Sequence, residues 1–173
     1  MVKSPYQSIR KSTIEKNSTL RYNYPVAVPI TEFDIVIRLV LAFAAGVVIG
    51  LERSSRRQVA GLRTHTLIAL GAACLMLLSI WLPQQLGAGD PGRIAAQVVA
   101  GMGFLGAGAI IKLGNSIRGL TTAASLWLTA AIGLVIGAGM FVAALTVIVL
   151  ALITLILMHF FERKIFPEDN WKT

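Results

Sequence analysis

Polar and apolar positions divide this chain sharply. Residues 1–32 are polar and basic, and nearly every position from Phe33 to Phe161 is apolar. A helix needs about 20 mainly apolar residues to cross the hydrocarbon core of a bilayer. Gly, Pro and charged positions break the apolar stretch into five such runs, at 33–51, 64–82 (closed by Pro83), 93–113, 120–137 and 140–161. The links are short, so successive helices are expected as antiparallel neighbours. The pattern predicts an all-α membrane protein, a compact bundle of five transmembrane helices with short loops. It predicts three segments: a polar tail at 1–32, the membrane domain at 33–161 and a short C-terminal tail at 162–173. The N-terminal tail lacks the apolar segment of a secretory signal peptide. With Pro5, Pro25, Pro29 and many Ser, Thr and Asn, it is expected to be mostly unstructured.

Composition agrees. Of 173 residues, 55% are hydrophobic and 14% charged, against about 45–50% and 25% in soluble domains. The net charge of +8 comes mostly from Arg and Lys at the ends of apolar runs, where they anchor and orient a chain in a bilayer. Nucleic-acid binding is not expected. The first link carries Arg53, Arg56, Arg57 and Arg63, and the third Lys112 and Arg118; the C-terminal end carries Arg163, Lys164 and Lys172. The alternate links carry only Arg93. Loops one and three and the C-terminus are therefore expected in the cytoplasm and the N-terminus outside. The five basic residues of the tail argue the other way. The lone Cys74 forms no intramolecular disulfide.

Residues 101–108, GMGFLGAG, spell G-x-G-x-x-G. A dinucleotide fingerprint follows a strand, opens a helix and has an acidic residue about 20 positions on. None of these holds, and no cofactor is expected. The alternative is helix packing. Lipid gives no hydrophobic drive for helix association, so small residues that let backbones approach must supply it. Ala100, Gly101, Gly103, Gly106 and Gly108 in the third run, and Gly46 and Gly50 in the first, are the expected packing positions.

Ionisable residues within spans are functional candidates. Asp34 and Arg38 lie four apart, and the bland reading is a local pair with Arg38 reaching outward. Glu52, Arg63 and His65 could meet at one interface. Asp90 and Arg93 flank the outer start of the third run, with Asp90 a candidate helix cap, and Gln97 lies a turn deeper. Thr121, Thr122 and Ser125 enter the fourth run. No carboxylate lies near the middle of a span, which disfavours a dedicated cation path. Whether any metal binds is left open. No catalytic motif appears, and no enzyme is expected.

The ordered motifs G-L-E-R (50–53), A-G-L-R-T-H (60–65), D-x-x-R-I-A-A-Q-V-V-x-G-x-G-F-L-G-A-G (90–108) and R-G-L-T-T-A-A-S-L-W (118–127) strongly resemble the MgtC/SapB family of bacterial membrane proteins. The resemblance covers about residues 35–160. It implies a plasma-membrane protein linked to growth under magnesium limitation. It further implies a regulator acting through other membrane proteins, among them the F-type ATP synthase; the alternative is a magnesium or other cation transporter. The motif positions are Glu52, Arg63, Thr64, His65, Asp90, Arg93, Gln97, the four glycines from 101 to 108, Arg118, Thr121, Thr122 and Trp127. Self-association is a further expectation. Many members continue into a soluble domain resembling the ACT fold; none is expected here, where the sequence reaches only Thr173.

Overall fold

The computed structural model describes residues 30–86, 89–114 and 116–158. The expected tail up to residue 29, the end of the fifth run (159–161) and the C-terminal tail lie outside these. The described chain forms α1 (Glu32–Ser55), α2 (Leu62–Leu86), α3 (Arg93–Ala109), a hairpin of β1 (Ile111–Leu113) and β2 (Ser116–Arg118), α4 (Leu120–Gly137) and α5 (Phe141–Ile153). One π turn, Thr154–Met158, prolongs α5. Four segments are long and apolar enough to span a membrane: Glu32–Ser55, Leu62–Leu86, Leu120–Gly137 and Phe141–Met158. The five expected helices are all present, and the protein is a multi-pass membrane protein.

Thr31 opens α1 with a capping box: its hydroxyl accepts from the Asp34 amide, and the Asp34 carboxylate accepts from the Thr31 amide. This replaces the expected Asp34–Arg38 pair. Arg38 turns instead to α4, where Nη1 donates to the carbonyl of Gly137 at 2.8 Å. A cation there satisfies an orphan carbonyl and complements the negative end of the helix dipole. Pro83 does not end α2, which runs on to Leu86. A proline removes one intrahelical bond, and one turn from the helix end that loss is tolerated.

The third run departs most from expectation. It is helical only to Ala109, and Ile111–Leu113 and Ser116–Arg118 pair as antiparallel strands, Ile111 opposite Arg118. Gly119 explains the break. Its φ of +89° favours glycine, and a Cβ there would strike the carbonyl of Ala109. The 17 residues of α3 reach only about 25 Å, short of a 30 Å hydrocarbon core.

Helices α2 and α4 form the centre: α2 packs on α1, α3 and α4, and α4 also touches α1, α3 and α5. Alanine is the commonest residue of the core. Ala42, Ala45, Ile49, Ala73, Ile132, Ile136 and Ala144 join α1, α2, α4 and α5, while Ala72, Met102, Leu126 and Ala130 join α2, α3 and α4. Two G-x-x-x-G pairs clamp α2 from opposite partners. From α1, a Cβ on Gly46 would lie 2.6 Å from Thr66 Cα, and one on Gly50 2.7 Å from Leu62 Cα. From α4, a Cβ on Gly133 would strike the Ala69 carbonyl, and one on Gly137 would lie 2.7 Å from that of Ala73. Backbone contact this close gives dispersion attraction that no side chain permits.

The α3 glycines do not behave this way. Gly101, Gly103 and Gly108 have nothing within 4 Å of an added Cβ, and Gly106 has only the Ala123 methyl at 3.8 Å. Ala100 is exposed as well. The expectation that these residues nest inside the bundle is corrected for Ala100, Gly101, Gly103 and Gly108, which face out; α3 turns Met102 inward with Gly106 half-buried beside it.

Candidate functional site

The polar candidates separate into two groups, set by the antiparallel course of the helices. The end of α1, the start of α2, the hairpin and the start of α4 lie at one end of the bundle. The end of α2 and the start of α3 lie at the other.

At the first end, Glu52 occupies the last turn of α1. One carboxylate oxygen accepts from Nε of Arg53 and the other from Nε of Arg56. Arg53 is 3% exposed, so Glu52 is the counter-ion of a buried cation rather than a free ligand. The chain then turns sharply. Arg57 takes a positive φ of 54°, a conformation costly for a residue with a Cβ. The turn is held by amides of Arg57 and Gln58 donating to the carbonyls of Ser54 and Arg53. The Ser54 hydroxyl accepts from the Leu62 amide at 2.8 Å and so caps α2.

Below this turn lies His65, fully buried. Its Nδ1 sits 2.9 Å from the Gly61 carbonyl and its Nε2 3.2 Å from the Ser125 hydroxyl. A carbonyl only accepts, so Nδ1 carries a proton. The Ser125 hydroxyl has one proton and two acceptors in reach, His65 Nε2 and the Thr122 carbonyl at 2.8 Å, and the Thr129 hydroxyl donates to the Ser125 carbonyl. Thr122, also buried, points its hydroxyl at the Gln58 side chain 3.5 Å away. The network ties the first loop to α4 through α2. Arg63, Thr121 and Arg118 remain exposed around it. Ser54, Gln58, Gly61, Leu62, Arg63 and Thr64 line a shallow open depression there.

At the other end Asp90, Arg93 and Gln97 are all exposed. Asp90 accepts from the Gly92 amide at 2.8 Å, two residues on. It shapes the turn before α3 rather than capping the helix, whose N-cap is Gly92. The buried Ser79 hydroxyl donates to the Pro91 carbonyl and fastens this turn to α2.

The candidates therefore do not converge on one cavity. Glu52, Arg63, His65, Arg118, Thr121 and Thr122 share one end, and Asp90, Arg93 and Gln97 the other. The 25 residues of α2 that separate the ends span about 37 Å. Within the first group Glu52, Arg63 and His65 form no mutual bond among the described contacts. Among the described residues, no three of His, Cys, Asp and Glu lie close enough to hold a metal ion. Cys74 and Trp127 face outward. The sequence reading passed over Ser79, Gln58 and Thr129. Thr122, Ser125 and Thr129, at i, i+3 and i+7, carried a usable signal: three hydroxyls on one helical face.

Comparison with known proteins matches residues 39–164 to the model of the MgtC family. The chain belongs to the MgtC family. Among its relatives, an Escherichia coli (strain K12) protein named "Putative magnesium transporter YhiD" is 47% identical over 132 residues, 73% of this chain and 61% of that protein. Protein MgtC of Salmonella typhimurium (strain LT2) is 45% identical over 127 residues, 73% of this chain and 53% of its own length. Protein MgtC of Brucella abortus (strain 2308) is 52% identical over 101 residues, 57% of this chain and 40% of its own. The chain thus spans about half to three fifths of the first relatives it matches. No solved structure matches it. The matched region of this MgtC family member takes in both ends of the bundle and the whole of α2, α3 and α4.

Proposed function

We propose that this MgtC family protein is a non-enzymatic regulator of the bacterial inner membrane. It acts by contact with other membrane proteins and belongs to adaptation to low magnesium. The observation that carries the reading is the separation of its polar groups. Glu52 and His65 lie at one end and Asp90 at the other, and apolar residues such as Ala69, Ala73, Ala130 and Ile132 fill the space between. A Mg²⁺ path needs oxygen ligands and retained water along its length. Neither the four described carboxylates, Glu32, Asp34, Glu52 and Asp90, nor this packing supplies them. The exposed Arg57, Arg63, Lys112 and Arg118 give the cytoplasmic end, by the charge rule, a basic face on which acidic partner loops would dock. The F-type ATP synthase is the partner that the family resemblance suggests.

One observation favours a second reading, cation transport: the name carried by the Escherichia coli relative. Reconstitution separates the two. Purified protein in liposomes with an internal magnesium dye is expected to take up Mg²⁺ no faster than protein-free vesicles. Uptake that Glu52→Gln or Asp90→Asn abolishes would overturn the regulator and establish the transporter.

A further inference from the structure

The outward face of α3 is unlike the other outward faces of the bundle. On α1 it carries Phe33, Val36, Val40 and Phe43, and on α5 Phe141, Val142, Leu145 and Val149. Bulky apolar side chains of this kind meet acyl chains well. At 100° per residue, the side of α3 opposite Met102 carries Ala96, Gln97, Ala100, Phe104, Ala107 and Gly108, all exposed, with Gly101 beside Gln97 and Gly108 at its edge. Phe104 is 83% exposed. It stands as a single knob between bare backbone at Gly101 and Gly108, three residues before and four after. A face with glycines on lipid gains little from burial of side chains, and Gln97 has no hydrogen-bond partner among the described contacts. An amide facing hydrocarbon without a partner is costly.

Three features of this face are self-complementary. It holds both a knob and the hollows that would receive one. The Gln97 amide both donates and accepts, so it satisfies a second copy of itself. Asp90 and Arg93 are exposed opposite charges three residues apart at the start of the helix, and among the described residues Arg93 pairs with no carboxylate. Copies of one chain enter a membrane in the same direction, so a two-fold axis must run along the membrane normal. Two α3 helices then meet in parallel. Gln97 faces Gln97 of the second copy, Phe104 enters the glycine hollow opposite, and each Arg93 lies beside the Asp90 across the axis.

We propose that α3 is the contact of a homodimer, formed by the Gln97–Gly101–Phe104–Gly108 face of two copies packed in parallel. The contact does not depend on the regulator reading, because it uses neither the basic end nor the network around His65.

The test uses the whole chain in bilayer nanodiscs and in cell membranes, with Cys74→Ser as background. Single substitutions Gly101→Cys and Gly108→Cys are expected to give a dimer band under mild oxidation, and Leu145→Cys on α5 is not. Native mass measurement of the unmutated chain is expected to show a dimer. Gln97→Leu is expected to weaken association about three- to thirtyfold, the range for one interhelical polar contact. Gly101→Leu fills open space, so it leaves the monomer folded and disrupts only pairing. A monomeric mass with no α3 crosslink would overturn the proposal. So would crosslinks at α5 as strong as at α3, or α3 crosslinks only to a different protein or to none once lipid alone surrounds the helix.

Discussion

Replacing Gly133 by leucine is expected to unhinge the bundle. The new Cβ would strike the Ala69 carbonyl and lie 2.9 Å from the Ala72 methyl. Both belong to α2, whose backbone is held by its own hydrogen bonds and by Gly46 and Gly50 on its other side. Nothing there is the mobile tip of a side chain, so α4 must move away bodily. That movement opens the contacts of Ala72 with Leu126 and Ala130 and strains the His65–Ser125 bond one to two turns away. Overpacking of a filled core costs about 1–3 kcal/mol, and the broken network adds to it. Gly101→Leu is the matched control. It makes the same chemical change in a helix of the same protein, where an added Cβ meets nothing within 4 Å. Unfolding in mixed micelles, followed by circular dichroism, should show a large loss for the first variant and little or none within the monomer for the second. Equal losses would mean that the glycines of α4 are not where the helices touch.

Glu52→Ala is the second large effect. The substitution leaves Arg53, 3% exposed, without its counter-ion, and Arg56 loses the same partner. Removing one member of a buried ion pair costs about 3–5 kcal/mol, since the surviving charge stays desolvated. The lower end of that range is expected here, because Arg56 is partly exposed and can turn to water. Glu52→Gln keeps one acceptor oxygen and is expected to lose less. Because Glu52 closes α1 just before the turn at Arg57, limited trypsin cleavage at that turn should rise along with the loss of stability. Wild-type resistance in Glu52→Ala would show that the guanidinium of Arg53 does not need this carboxylate.

The span boundaries were legible where hydropathy and punctuation agree. The fourth run, 120–137, coincides with α4, bounded by Gly119 and by the turn after Gly137. The third run failed at its end because Ile111, Lys112 and Leu113 look like more apolar helix. The hairpin follows from Gly114 and Gly119, both with positive φ, and spacing alone does not reveal backbone sign. The glycine pattern was legible as a device but not as a direction. Gly46, Gly50, Gly101 and Gly108 look alike in sequence, yet the first two touch α2 and the last two touch nothing, because facing depends on which helix lies beside each one. The division of the polar candidates was half visible. Short links put Glu52 and His65 at one end, but the partners each would choose, Arg53 and Ser125, depend on rotation about the helix axes.

The central physical claim is that the space between the two polar ends is dry and filled. Cysteine accessibility tests it most directly. In a Cys74→Ser background, single cysteines at Arg63 and Asp90 should react with a membrane-impermeant maleimide, each from a different side of the membrane. Cysteines at Ala69, Ala130 and Thr129 should stay unreactive in folded protein and react after denaturation. Labelling of all three interior positions in the native state would reveal a water-filled passage joining the ends, and it would contradict this account.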